Sequence, residues 1–136
     1  MSTLNEMKID ALTSELEKAE KRQNEYHSEI ENLIKELVRY ETGKPQRDAG
    51  LAELKDELEA FKKTIPNFNQ ETCDLYERYN EMKKEYEENA DFDSTIDAKV
   101  EKLKKEISSK EEAIVDTKER IKILNVAITK AKSEEN

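Results

Sequence analysis

The first residue in this chain that could do chemistry is His27, its only histidine. Glu31 follows four residues later, so on a helix the imidazole and the carboxylate lie on one face and could touch the same metal ion. A zinc site needs at least three protein ligands, and the sequence offers no third ligand beside this pair. We therefore expect no metal site, and we interpret His27 as a polar side chain flanking a helix contact.

Cys73 is the only cysteine, so it has no partner for a disulfide within the chain. A cysteine nucleophile is normally activated by an adjacent base such as histidine, and no histidine lies in its segment of sequence. Unpaired cysteines are usual in reducing compartments. We predict an incidental thiol and an intracellular protein, cytoplasmic or nuclear.

Residues 91–102 begin like a calcium-binding loop, with acidic residues at loop positions 1, 3 and 7. Ile96 occupies the place of the glycine that turns such a loop, and Lys102 occupies the place of the bidentate glutamate. No glycine-rich phosphate loop or metalloprotease helix is present. We predict that the protein is not an enzyme and holds no cofactor.

The composition favours long helices over a globular core. Of 136 residues, 42% are charged and 35% are hydrophobic, with two glycines, two prolines and no tryptophan. Such a bias toward charged residues, together with a helical repeat, is typical of coiled coils. The length suits a single helical domain over residues 1–136.

A seven-residue apolar repeat runs through the whole chain in one phase. Its a positions recur every seventh residue from Ile9 to Ile128, and its d positions from Leu12 to Ala131. We call these a and d positions the seam. Polar residues enter the seam at two places, namely Lys44 with Arg47 and Asn89 with Asp93.

Local signals suggest that helices end at both places, which would make a joint. Gly43 and Pro45 are typical of a helix end, and Asp93 or Ser94 could cap a new helix after Asn89. We expect four helices near residues 3–42, 47–64, 69–90 and 94–133, and hinge residues at Gly43, Pro45, Asn89 and Asp93. Thr3 with Glu6 forms a capping box for the first helix, and Asn69 is the expected N-cap of the third.

The segment TIPNFNQE, residues 64–71, predicts a fold-back. We expect an all-α, long antiparallel coiled-coil hairpin with arm one at 3–64, a tip at 65–69 and arm two at 70–133, kinked near 43–47 and 89–93. The seam positions then pair as Leu58 with Leu75, Arg47 with Tyr86, Lys44 with Asn89 and Lys110 with Gln23. At the flanks Glu15 meets Arg120, whereas a parallel homodimer would mostly pair like charges.

Two other arrangements fit the same repeat. In a compact four-helix bundle, the joint folds over completely and the helices pack side by side. In a homo-oligomer or hetero-oligomer without a hairpin, the seam of each chain is covered by another chain.

Several apolar residues fall outside the seam, where a two-helix hairpin cannot bury them. They predict docking faces for a helical protein partner or a second copy. These candidates are Leu4, Met7, Ile123 and Val126 near the chain ends, and Ile34, Val38 and Phe92 near the joint.

The charge balance restricts the class of partner. The net charge is -9, which disfavours direct nucleic-acid binding and an anionic membrane surface, and no apolar run is long enough for membrane insertion. We expect a non-enzymatic coiled-coil scaffold or spacer that mediates protein–protein interaction in a larger intracellular assembly. The alternative is an acidic inhibitor or decoy that uses residues 71–93 to occupy a basic nucleic-acid-binding site on a partner.

Overall fold

The chain forms two long helices in a computed structural model that describes residues 3–65 and 72–134. Helix α1 spans Leu4–Thr64 and helix α2 spans Cys73–Glu134. The described residues contain no strand. The predicted all-α helical hairpin is therefore confirmed.

The start of α1 is fixed by the predicted cap. The Thr3 hydroxyl accepts a hydrogen bond from the Glu6 amide at 3.0 Å, and the Thr3 carbonyl accepts one from the Met7 amide at 3.1 Å. The bond to the Thr3 hydroxyl satisfies a donor that the first turn of a helix otherwise leaves unpaired. The sequence thus predicted Thr3 as the capping residue, and the structure shows the bond of the capping box that the Glu6 amide donates.

The predicted break in the first arm is wrong, because α1 continues through Gly43 and Pro45. No described glycine has a positive φ, so Gly43 does not act as a C-cap. An internal proline removes one backbone hydrogen bond and crowds the preceding turn, at a cost of about 3 kcal/mol. Arg47 Nη1 donates to the Tyr40 carbonyl at 3.1 Å. The Arg47 side chain is therefore bound to the backbone on the N-terminal side of Pro45.

The predicted break in the second arm is also wrong, since α2 is continuous through Asn89 and Asp93. Asn89 Nδ2 donates to the Glu85 carbonyl at 2.8 Å. Asp93 does not cap a helix but is buried, and its carboxylate accepts a bond from Arg47. The hinge proposed at Gly43, Pro45, Asn89 and Asp93 stays a prediction, but it can no longer rest on broken helices.

Helix α1 ends at Thr64, and the Ile65 amide donates to the Lys62 carbonyl at 3.2 Å. Helix α2 begins at Cys73. The predicted start of arm two at residue 70, the expected N-cap Asn69 and the tip residue Phe68 lie outside the described residues.

The helices pack as two compact units. The terminal unit comprises Met1–Lys35 and Leu103–Asn136, and the central unit comprises Glu36–Lys102. Every buried side chain among the described residues occupies an a or d position, which confirms the buried face predicted by the repeat. In the terminal unit these are Ala19, Leu103, Ile107, Ile114, Leu124, Ile128 and Ala131, and in the central unit they are Leu58, Thr72, Asp93 and Ile96.

Ion pairs join α1 and α2 in the terminal unit. Arg120 Nη2 lies 3.1 Å from Glu15 Oε2, as predicted. Lys110 Nζ lies 2.7 Å from Glu29 Oε2, although the predicted pairing set Lys110 opposite Gln23. Side chains of a helix lean toward the N-terminus of that helix. Because α1 runs antiparallel to α2, this lean brings the Lys110 ammonium group to a higher-numbered residue of α1 than Gln23.

The pairing in the central unit differs more from the prediction. Arg47 Nε bonds to Asp93 Oδ1 at 2.8 Å and not to Tyr86, and Lys44 Nζ bonds to Asp97 Oδ1 at 3.0 Å and does not face Asn89. The displacement is about two helical turns. The lean of the long cationic side chains toward the N-terminus of α1 contributes to this shift, because it carries them toward higher-numbered residues of the antiparallel α2.

Replacing Pro45 with alanine should raise the free energy of unfolding by about 2–3 kcal/mol, because a continuous helix regains a backbone hydrogen bond. Gly50→Ala is the matched control, with an expected gain of about 1 kcal/mol, since its added Cβ meets nothing within 4 Å. Urea unfolding followed by circular dichroism measures both. A loss of stability in Pro45→Ala would contradict the continuous helix.

The hydrogen bond from Lys110 lowers the pKa of Glu29 below its ordinary value. A carboxyl group whose pKa is lower in the folded state stabilises the fold above the unfolded-state pKa, and this contribution disappears as the pH falls through the folded-state pKa. Lys110→Met should raise the pKa of Glu29 toward its ordinary value in an NMR titration of the side-chain carboxyl. The pKa should not move in Lys118→Met, and an unmoved pKa in both variants would rule out this bond.

Candidate partner-binding surfaces

The candidate chemical residues are His27, Glu31 and Cys73, and they form no metal-binding cluster in the part of the chain that the structure describes. His27 is exposed, and the Glu31 carboxylate lies 3.5 Å from Lys35 Nζ. Cys73 is a partly exposed free thiol at the first residue of α2. Over residues 3–65 and 72–134, no cluster of three or more His, Cys, Asp or Glu side chains is arranged to hold a metal ion.

Neither helix, over its described length, has a stretch long and apolar enough to cross a membrane.

All of the apolar residues predicted outside the seam have exposed side chains. Their exposure ranges from 42% for Ile34 to 84% for Leu4, and the set comprises Leu4, Met7, Ile34, Val38, Phe92, Ile123 and Val126. Exposure meets the physical requirement for a docking residue, whereas the binding role itself stays a prediction.

Two further exposed apolar residues were missed. Val115 lies one residue after the seam position Ile114, so the same search for apolar residues outside the seam should have found it. Leu75 was expected to face Leu58 inside the seam, but its side chain is 38% exposed. This exposure agrees with the displaced pairing of Arg47 and Lys44 in the same unit.

In the terminal unit, the exposed apolar residues of α2 follow the helical period. Val115, Ile123 and Val126 are separated by eight and three residues, so they lie along one side of the helix. We call these three residues the α2 stripe. A shallow depression of about 440 Å³ adjoins Val126 and is lined by Thr129, Lys130 and their neighbours. Leu4 and Met7 lie one turn apart on α1 of the same unit.

The predicted second set is divided between the units. Ile34 belongs to the terminal unit, while Val38 and Phe92 belong to the central unit. Phe92 therefore belongs to a different surface from Ile34, and in the central unit it lines an open cavity.

That cavity, which we call the central groove, has a volume of about 400 Å³. It lies between segments of α1 and α2 within the central unit. Its lining residues are Arg47, Gly50, Leu51, Leu54, Asn89, Phe92 and Asp93. The sequence marked three of these residues, Arg47, Asn89 and Asp93, as polar interruptions of the seam, but it did not predict a groove, because the groove depends on the displaced pairing of the two helices.

The lining of the central groove includes the Arg47–Asp93 ion pair. The Arg47 side chain is 21% exposed and that of Asp93 is 12% exposed. Arg47 Nε donates to Asp93 Oδ1 and Nη1 donates to the Tyr40 carbonyl. Nη2 is buried and makes no hydrogen bond within the described part of the chain. The pair is therefore desolvated but only partly satisfied, a condition that weakens its contribution to stability.

Comparison with known protein families, curated proteins and solved structures found no match.

Replacing both Arg47 and Asp93 with apolar residues should preserve the stability of the fold, whereas replacing only one of them should lower it. Arg47→Leu alone leaves a buried carboxylate unpaired and should lower the free energy of unfolding by about 2–4 kcal/mol. Arg47→Leu combined with Asp93→Leu should recover that loss, because a polar layer of the seam becomes apolar. Thermal and urea unfolding of both single variants and the double variant would give the free energies of unfolding for a double-mutant cycle.

The exposed pair of Lys44 and Asp97 provides the matched control. Its side chains are 46% and 48% exposed, so replacing either with leucine should change stability by about 1 kcal/mol or less. If Arg47→Leu were equally mild, the buried pair would not constrain the central unit.

Proposed function

We propose that this protein is a non-enzymatic coiled-coil scaffold or spacer that binds helical protein partners within a larger intracellular assembly. The observation that carries the proposal is the set of large apolar side chains left exposed outside the seam, including Leu4, Phe92 and Val126. Two helices have a single mutual interface, so these side chains can be buried only by another helix or another protein.

Coiled-coil packing of α1 against α2 is part of this proposal. It is supported by the confinement of buried residues to a and d positions and by flanking ion pairs such as Glu15–Arg120. In coiled coils, a and d side chains fill the interface and the flanking charges select the pairing. A scaffold of this kind binds partners through its outer faces while the seam maintains the fold.

The α2 stripe is the surface best suited to a partner helix. Its spacing is that of one face of a helix, and a helix-in-groove contact uses anchors with this spacing. Burying an exposed valine or isoleucine side chain stabilises a complex by roughly 1.5–3 kcal/mol before the costs of association. Together, the anchors of the stripe can therefore make a substantial contribution to affinity.

The experiment is a quantitative pull-down from the source cell with a variant of the stripe. Val115→Ser, Ile123→Ser and Val126→Ser combined should abolish capture of the partners that the unaltered protein retains at raised salt. Each side chain is at least 60% exposed, so stability should change by only about 0.5 kcal/mol per site. Circular dichroism and urea unfolding would verify that the fold is intact.

The control replaces Glu111 and Lys118 with serine on the same helix. Both are exposed, and the pair removes one acid and one base, so the net charge stays constant. Partner capture should survive this change and a rise in salt. Salt-resistant capture that persists in the stripe variant would contradict the scaffold, and capture abolished by salt in every variant would favour the acidic decoy.

A further inference from the structure

The central groove has an apolar interior with an exposed aromatic wall. Leu51 and Leu54 line it from α1, and Phe92, whose side chain is 64% exposed, lines it from α2. Gly50 leaves the groove open, since a Cβ added there would meet no atom within 4 Å. The groove therefore has room for apolar side chains that enter from outside.

The surroundings of the groove are acidic. Glu53 and Glu57 each lie one turn from a lining residue on α1, and Glu85 and Glu88 each lie one turn from a lining residue on α2. These carboxylates are exposed. No ion pair or hydrogen bond of their side chains is found within residues 3–65 and 72–134. They are available to cations from a partner.

Three basic residues lie in or one turn from the lining of the groove, and two of them are engaged. Arg47 is bound to Asp93, and Lys44 contacts both Asp97 and Asp48. The third, Lys55, is exposed one turn from Leu51 and is outnumbered by the four glutamates. On α2, residues 85–97 contain no lysine, arginine or histidine. The electrostatic surroundings of the groove thus favour a cationic occupant.

A second copy of this chain is a poor occupant. Its net charge of -9 would add repulsion, and like charges brought together at an interface oppose binding. Apolar walls surrounded by unpaired carboxylates match instead an amphipathic helix with a large apolar anchor flanked by lysine or arginine.

We propose that the central groove binds a basic amphipathic helix of a partner protein, with one large apolar side chain inserted between Leu54 and Phe92. This inference rests on the proposed function, because it names the chemistry of one helical partner. It assigns to the central unit a surface distinct from the α2 stripe, which belongs to the terminal unit.

The test is a fluorescence-anisotropy titration of the full chain with a labelled amphipathic peptide of leucine and lysine, at physiological ionic strength. The unaltered protein should bind this peptide and should not bind the corresponding leucine and glutamate peptide. Gly50→Phe fills the groove without changing charge and should weaken binding roughly tenfold or more. Gly50→Ala should leave binding nearly unchanged.

Asn24→Phe is the matched control, because Asn24 is an exposed residue of the terminal unit. It should bind the peptide as the unaltered protein does. Equal binding by Gly50→Phe and Asn24→Phe would overturn the proposal, since the peptide would then be held by general charge attraction. Phe92→Ala removes an exposed groove wall and gives a second measurement if Gly50→Phe proves unstable.

Failure here is distinguishable from failure of the scaffold. The serine variant of the α2 stripe should bind the leucine and lysine peptide normally, because the stripe lies in the other unit. If cellular partners require the stripe while Gly50→Phe does not affect the peptide, the scaffold stands and the groove proposal fails. If the peptide requires the groove while no partner requires the stripe, the groove stands and the stripe loses its assigned role.

Discussion

Burial of a and d side chains between α1 and α2 is the interaction on which the other features of this protein depend. Isolated helices gain little stability from their own hydrogen bonds, so long helices rely on an apolar face that is covered by a partner. Here the covered face is narrow, and no large side chain in the described residues is fully buried. A chain with 35% hydrophobic residues has little material for a second layer, so its remaining apolar residues stay on the outside.

The same seam explains why a proline and a buried ion pair are tolerated in the central unit. Pro45 destabilises its own turn, but the seam positions before and after it continue on one helix. Arg47 reaches from the next turn to the Tyr40 carbonyl and to Asp93 on α2. The pair costs desolvation energy that an apolar layer would not, and it also specifies which α2 residue faces this turn. A polar residue in a seam commonly serves to fix pairing in this way.

The sequence predicted features that depend on helical periodicity and local capping. The Thr3 cap, the seam, the exposed apolar residues and the Glu15–Arg120 pair follow from spacing along a helix, and the structure agrees with them. The predicted breaks at Gly43 and Asp93 were wrong because local propensity is weak beside the cooperative burial of a long seam. The pairing of Arg47 with Asp93 was not predictable, because a seven-residue repeat fits equally well after a shift of one heptad. The central groove was missed for the same reason.

The two candidate surfaces differ in the force that would hold a partner. The α2 stripe consists of branched aliphatic side chains, so an interface there would rest on burial and respond little to salt. The central groove combines Phe92 with exposed carboxylates such as Glu85 and Glu88, so an interface there would combine burial with charge attraction and weaken as salt rises. A partner selected by one surface would be disfavoured at the other, since an uncharged apolar helix leaves the carboxylates unpaired and a strongly basic helix gains little from the stripe. Two helices with a single seam can therefore present two chemically distinct contacts without a larger core.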